Sequence, residues 1–150
     1  MTAVQGSILG NAVLRREDPT LLKGIDKYYD DMAVDGVGYV HFVRSPYAHA
    51  NLGAIDTTEA AGMPGVAGVW TADDIDIPDF QGFPMFPVEF NRPVLAKGKV
   101  RFVGDIIAAV VADTRDQAAD AAEAVVADYD PLPAVVDMEA ALAEDAPVLF

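Results

Sequence analysis

The sequence predicts an α+β domain, a mixed sheet with helices packed on it, preceded by an extended N-terminal leader. Three observations lead there. Strand-like and helix-like segments alternate irregularly, unlike the regular alternation of a doubly wound nucleotide fold. A loop rich in proline and phenylalanine, residues 78–93, interrupts them. The strand–glycine–helix joint "RFVGDIIAAVVADTRDQ", Arg101 to Gln117, lacks the clustered glycines of a phosphate-binding turn. Gly104 stands alone before Asp105, whose charge repels phosphate, and mostly apolar strand separates it from the helix cap at Thr114. Gly104 therefore reads as a bend, a bulge or a close backbone contact.

Along the chain, residues 1–30 form the leader and residues 31–150 the domain. The leader has weak periodicity, with one helical turn at Pro19–Leu22 closed by Gly24. It is either a surface strap, the simpler reading, or an arm that docks on a partner. "YVHFVRS" reads as a strand apolar on both faces and hence buried on both, ended by Pro46. "DTTEAAGMPG" reads as a short helix capped by Asp56 and stopped by Gly62 and Pro64. "VAGVW" is a strand, and "TADDI" a helical turn capped by Thr71, with Asp73 and Asp74 at its positive end.

In the loop "PDFQGFPMFPVEFNRP", four prolines and a glycine forbid regular structure. Phe80, Phe83, Phe86 and Phe90 either fold back on the edge of their own core or form an interface covered by a neighbour. "KVRFVGDIIAAVVA" supplies two strands, or one strand bent at Gly104. The spacing then predicts a helix over 115–129, opened by a capping box of Thr114 and Gln117. Its apolar face is Ala118, Ala121, Ala122, Val125, Val126 and Tyr129, and Pro131 and Pro133 end it. "AVV" is a last short strand and "DMEAALAE" a last helix.

Composition narrows the function. The 150 residues are 52% hydrophobic, enough for a core, so disorder throughout is excluded. The net charge is −14, which opposes binding to phosphate backbones and anionic lipids. There is no cysteine, hence no disulfide, thiolate metal site or cysteine nucleophile in this chain. The N-terminus lacks the pattern of a secretory signal, and no apolar run reaches the roughly 20 residues that span a bilayer. These features point to the cytoplasm.

No catalytic, cofactor-binding or metal-binding residue stands out. His41 and His49 are separated by a strand and Pro46, with no metal-ligand spacing, so His41 reads as a half-buried strand histidine. There is no nucleophile motif. Most carboxylates lie on helix faces, where solvation explains them. Arg44 could bind an anion, but pairing with one of the many acids is the simpler account.

Four stretches in order carry a resemblance: "RREDPTLLKG…YYDD", "FVRSPYAHANLGAIDTTEAAGMPGV", "VLAKGKVRFVGDIIAAVVADTRDQAADAAEAVVADYDPLPAVVD" and "EAALAEDAPVLF". Together they resemble the start of the molybdenum-binding large subunit of the molybdenum hydroxylases, the xanthine dehydrogenase, aldehyde oxidase and aerobic carbon-monoxide dehydrogenase family. That region is called the α/β hammerhead domain. The resemblance covers nearly the whole chain and is weakest over 75–93.

It implies a structural domain of an oxidoreductase acting on a small substrate: an aldehyde, an N-heterocycle or carbon monoxide. Molybdopterin would be held by a following region of the subunit. Iron–sulfur clusters and FAD would be held by a small and a medium partner subunit. It implies no cofactor-holding residue within this chain, and that the chain is a fragment or a truncated product. A stand-alone acidic protein-binding module with the same fold is the alternative. On either account Arg15, Arg16, Leu21, Leu22, Phe80, Phe83, Phe86 and Phe90 are the candidate interface residues, with phenylalanine at the dry centre and arginine at the rim.

Overall fold

The structure, a computed structural model, describes residues 14–32 and 34–150. The rest of the expected leader, residues 1–13, lies outside the described residues. Two units form, one ending at Gly36 and one running from Val37 to Phe150. The first unit contains helix α1, Asp18–Leu22, with Pro19 in its first turn, where a missing N–H breaks no helical hydrogen bond. Gly24 closes it at φ 66°, its N–H donating to Leu21 O at 3.0 Å. A 3₁₀ turn follows at Tyr29–Asp31.

The second unit carries strands β1 (Tyr39–Arg44), β2 (Ala50–Asp56), β3 (Val66–Thr71), β4 (Lys99–Val100), β5 (Ile106–Ala112) and β6 (Val126–Pro131), with helices α2 (Thr58–Ala61) and α3 (Arg115–Glu123). The α+β class holds, but the strands build two three-stranded sheets, ordered β1-β5-β3 and β4-β2-β6. Every strand pairing is antiparallel, where one mixed sheet was expected. Gly104 explains the division. At φ 90° it adopts a conformation that glycine takes freely, and it turns the chain between β4 in one sheet and β5 in the other. The expected bend is there.

The first sheet shows how the core is built. β5 is central and alternates half-buried and buried residues, with Ala108, Val110 and Ala112 at 0–1% exposure. Small alanines on α3 let the helix approach closely: Ala121 and Ala122 pack with Val110 and Ala60, alongside Val43, Val66 and Val69. The other sheet closes a second cluster of Ala50, Leu52, Ala96, Val100, Ile107 and Ala108. α3 opens with the expected N-cap, Thr114 Oγ1 accepting the Gln117 N–H at 3.2 Å, but the Gln117 side chain accepts from the Thr114 hydroxyl at 3.0 Å rather than closing a capping box on the Thr114 backbone.

Five expectations need correction. β1 is not buried on both faces: α3 covers the Val43 side of the sheet, while the opposite face is left open, with Val40 and Phe42 53% and 42% exposed. His41, expected half-buried, is exposed. The helix predicted over 115–129 ends at Glu123, and Val126 and Tyr129 belong to β6, which pairs with β2. "VADYD" alternates outward and inward, and β-branched valines suit a strand better than a helix. Beyond it, the expected strand at 134–136 is absent, and the last helix is a single 3₁₀ turn at Ala140–Leu142. Val136 is 93% exposed and has nothing to pack against.

Two turns differ in detail. "TADDI" is a turn in which Asp74 reaches back to the Thr71 N–H and hydroxyl, both at 2.7 Å, rather than a helix capped by Thr71. Those bonds, the backbone one first, hold the Asp74 carboxyl below its ordinary range. Asp56 is not the N-cap of α2, a position Thr57 takes without a side-chain bond; Asp56 accepts the Thr58 N–H at 2.9 Å in a local turn just before the helix.

Candidate functional site

All seven phenylalanines of the chain are exposed, from 40% at Phe102 to 65% at Phe80, and the single tryptophan, Trp70, is 37% exposed. The interior is instead alanine, valine and a few larger aliphatics. Large aromatic surface is normally what a core buries most profitably. Here that surface lies outside, which makes it the candidate site of this domain.

The loop at 78–93 concentrates this surface. A short antiparallel bridge pins its ends: Phe80 N–H donates to Arg92 O at 2.7 Å and Arg92 N–H to Phe80 O at 3.2 Å. Between them, the Phe86 N–H donates to Phe83 O, and a 3₁₀ turn spans Val88–Phe90. The rings form a tilted series, with centroids 6.0 Å apart for Phe83–Phe86, 6.1 Å for Phe86–Phe90 and 5.3 Å for Phe90–Phe150. Stacking on one another satisfies part of each ring and leaves the outer faces open. Phe80 stands apart from the series but lines a cleft of about 210 Å³ with Phe86, Phe90, Arg92 and Phe150.

The structure thus brings Phe83, Phe86 and Phe90 together. Arg15, Arg16, Leu21 and Leu22 belong to the first unit. There Arg15 Nε lies 3.6 Å from Asp18, an exposed pair, and Leu22 is 86% exposed. Residues that the loop composition did not single out join the surface in the second unit. Phe150 stacks on Phe90, and Arg101 donates from Nε to Leu149 O at 2.7 Å while its guanidinium lies 5.3 Å from the Phe150 ring. On the open face of the first sheet, Phe42 and Trp70 flank Ala109 in register, and Val40 lies opposite Val111. The alternation of "YVHFV" contains that face, but only the strand order shows it uncovered.

The chain offers little to a cofactor. Among the described residues no three His, Asp or Glu side chains converge on a point that would hold a metal ion. Among the described residues the positive-φ glycines 24, 36, 65, 98 and 104 are scattered singly, so they form no backbone cradle for a phosphate. His49 is buried at 5% exposure, with Nδ1–H donating to Pro133 O at 2.7 Å and Nε2 without a hydrogen-bond partner among the described residues.

A sequence profile described as "Aldehyde oxidase and xanthine dehydrogenase, a/b hammerhead domain" matches residues 23–133. The chain belongs to this family. As a hammerhead domain it is 41% identical over 135 residues to the nicotine 6-hydroxylase large subunit of Paenarthrobacter nicotinovorans, covering 87% of this chain and 16% of that protein. It is 42% identical over 135 residues to the carbon monoxide dehydrogenase large chain of Afipia carboxidovorans, covering 90% and 17%. The fold superimposes on the crystal structure of quinoline 2-oxidoreductase from Pseudomonas putida 86 with a TM-score of 0.79 at 42% identity, over 91% of this chain and 18% of that one. The hammerhead domain therefore spans about one sixth of the length of these relatives. Among the described residues no helix is long and apolar enough to cross a membrane.

Proposed function

We propose that this hammerhead domain is the structural leading part of the large subunit of a molybdenum hydroxylase. A leader over residues 1–30 would precede the domain proper at 31–150. The subunit as a whole would oxidise a small substrate, an aldehyde, an N-heterocycle or carbon monoxide. Molybdopterin bound by the rest of the subunit would supply the redox chemistry. Iron–sulfur clusters and FAD in a small and a medium partner subunit would carry the electrons away, in the cytoplasm. The observation that carries this reading is the alignment itself: about nine-tenths of the chain aligns with large chains of such enzymes at about 40% identity. Nothing in the residues favours the stand-alone module.

On this reading the exposed phenylalanines are an interface with the rest of the enzyme. Phe83, Phe86 and Phe90 would be its dry centre, with Phe80 beside them and the Arg15–Leu22 segment contributing elsewhere. The test is to extend the gene product beyond residue 150 and purify it with its neighbours. Molybdenum, flavin and iron–sulfur absorption are expected in the complex and not in the 150-residue chain. Stoichiometric molybdenum or a flavin band on the short chain would overturn the structural role.

A further inference from the structure

The hammerhead domain is strongly acidic, with a net charge of −14, yet one of its clefts is not. Arg44, Phe80, Arg92, Pro93, Val94, Phe102, Gly104, Asp105 and Ile106 enclose a cleft of about 320 Å³. It contains two arginines and one carboxylate. That carboxylate is engaged: Asp105 Oδ2 accepts the Arg101 backbone N–H at 3.1 Å. Among the described residues the ion pairs are Arg15–Asp18 and Lys97–Asp73. With 24 acidic residues in the chain, Arg44 and Arg92 still have no carboxylate partner there, contrary to the simpler sequence account of Arg44.

Both guanidinium groups are instead held in place by neutral neighbours. Arg44 donates from Nη1 to Gly104 O at 2.9 Å and lies 5.9 Å from the Phe42 ring. Arg92 lies 5.2 Å from the Phe102 ring. Arg44 has one carbonyl and one ring and Arg92 one ring, so among the described residues most of the five N–H donors of each arginine have no protein partner. A planar fork of donors is what a carboxylate recognises. The remaining walls, Phe80, Pro93, Val94 and Phe102, are apolar.

We propose that this cleft docks a carboxylate-bearing, apolar-flanked segment of polypeptide from the rest of the subunit, an Asp or Glu between Arg44 and Arg92 with a neighbouring apolar side chain against Phe80 and Phe102. The assignment rests on the reading of the chain as one domain of a longer subunit. The adjoining cleft, lined by Phe80, Phe86, Phe90, Arg92 and Phe150, extends the apolar wall beside the site. Charge complementarity selects the occupant: a short acidic segment meets only the locally cationic cleft, whereas in a second copy of this chain two whole surfaces of net charge −14 would repel each other.

The test is a titration of the isotope-labelled 150-residue chain with N-acetyl-Phe-Glu-amide, followed by amide NMR shifts at Val94, Phe102, Gly104 and Ile106. Saturable shifts are expected. They should weaken about tenfold with N-acetyl-Phe-Gln-amide, the loss expected for one charge-assisted interaction. They should also weaken in the Arg44→Gln/Arg92→Gln variant. The Arg115→Gln variant removes one charge at Tyr39, outside the cleft, and should bind as the parent does. Equal binding of the two peptides, binding of neither, or equal loss in Arg115→Gln would overturn the proposal. Shifts that grow with protein concentration alone would assign the cleft to a second copy and also overturn it. Because the Gln peptide is compared on the unaltered chain, a folding defect in a variant cannot decide the outcome. If the peptide fails while the extended complex holds its cofactors, the cleft assignment falls and the domain reading stands.

Discussion

The α3–β5 face and the loop at 78–93 are both rich in apolar residues, and they use them in opposite ways. On α3, Ala118, Ala121 and Ala122 are 0–8% exposed against a strand whose Val110 is fully buried. In the loop, Phe80, Phe83, Phe86 and Phe90 are 49–65% exposed. The domain is held together by small side chains at close range. Its large ones lie where they contribute little to its own stability. Hydrophobic content by itself does not separate core from interface, whereas side-chain size combined with exposure does.

The contrast can be broken at its strongest point. Ala122→Phe should overpack the α3–sheet contact and cost about 1–3 kcal/mol in urea unfolding. Thr114→Ala should remove the N-cap bond to Gln117 and cost about 1 kcal/mol, since the helix keeps its packed face. Phe86→Ser should cost the isolated chain less than about 1 kcal/mol, the scale of an aromatic pair or two in a half-exposed cluster. A loss of several kcal/mol from Phe86→Ser would mean that the loop belongs to the core.

The smallest effect is confined to alkaline pH. Burial raises the Tyr129 phenol above its ordinary value of 10.0, with Ser45 opposing. A raised folded-state value means that the unfolded chain gives up the proton first. The contribution of Tyr129 is therefore complete below pH 10.0 and fades as pH rises through the folded value. Tyr129→Phe should flatten the alkaline limb of the stability profile and leave neutral pH behaviour nearly unchanged, as urea midpoints measured at pH 7 and pH 11 would show. Glu123→Gln, on the solvent side of α3, should leave the midpoint unmoved.

The same contrast explains what could be read from the amino-acid sequence. The start of α3 was legible because a cap is local chemistry, Thr114 to Gln117. Its end was not, because "AEAVVADYD" satisfies a helical period through Val125 and a strand period from Val126, and pairing with β2 decides between them. The bend at Gly104 was legible from a lone glycine in an apolar run. The edge position of β1 was not, because strand order is set by contacts between residues distant in sequence. For the surface, the composition of 78–93 announced an irregular aromatic loop. The unpaired state of Arg44 and Arg92 needed coordinates, because so many acids made an ion pair the natural expectation.

Hydrogen exchange on the 150-residue chain, with its monomeric state verified at the working concentration, tests the central claim most directly. The proposal under test is that the phenylalanine loop is an interface rather than a flap of the core. Amides at 80–90 should exchange far faster than those of β5 from Ile106 to Val111, because the loop has few backbone bonds and half-exposed rings. Protection across 80–90 equal to that of β5 would contradict the claim and place the loop with the domain's own core.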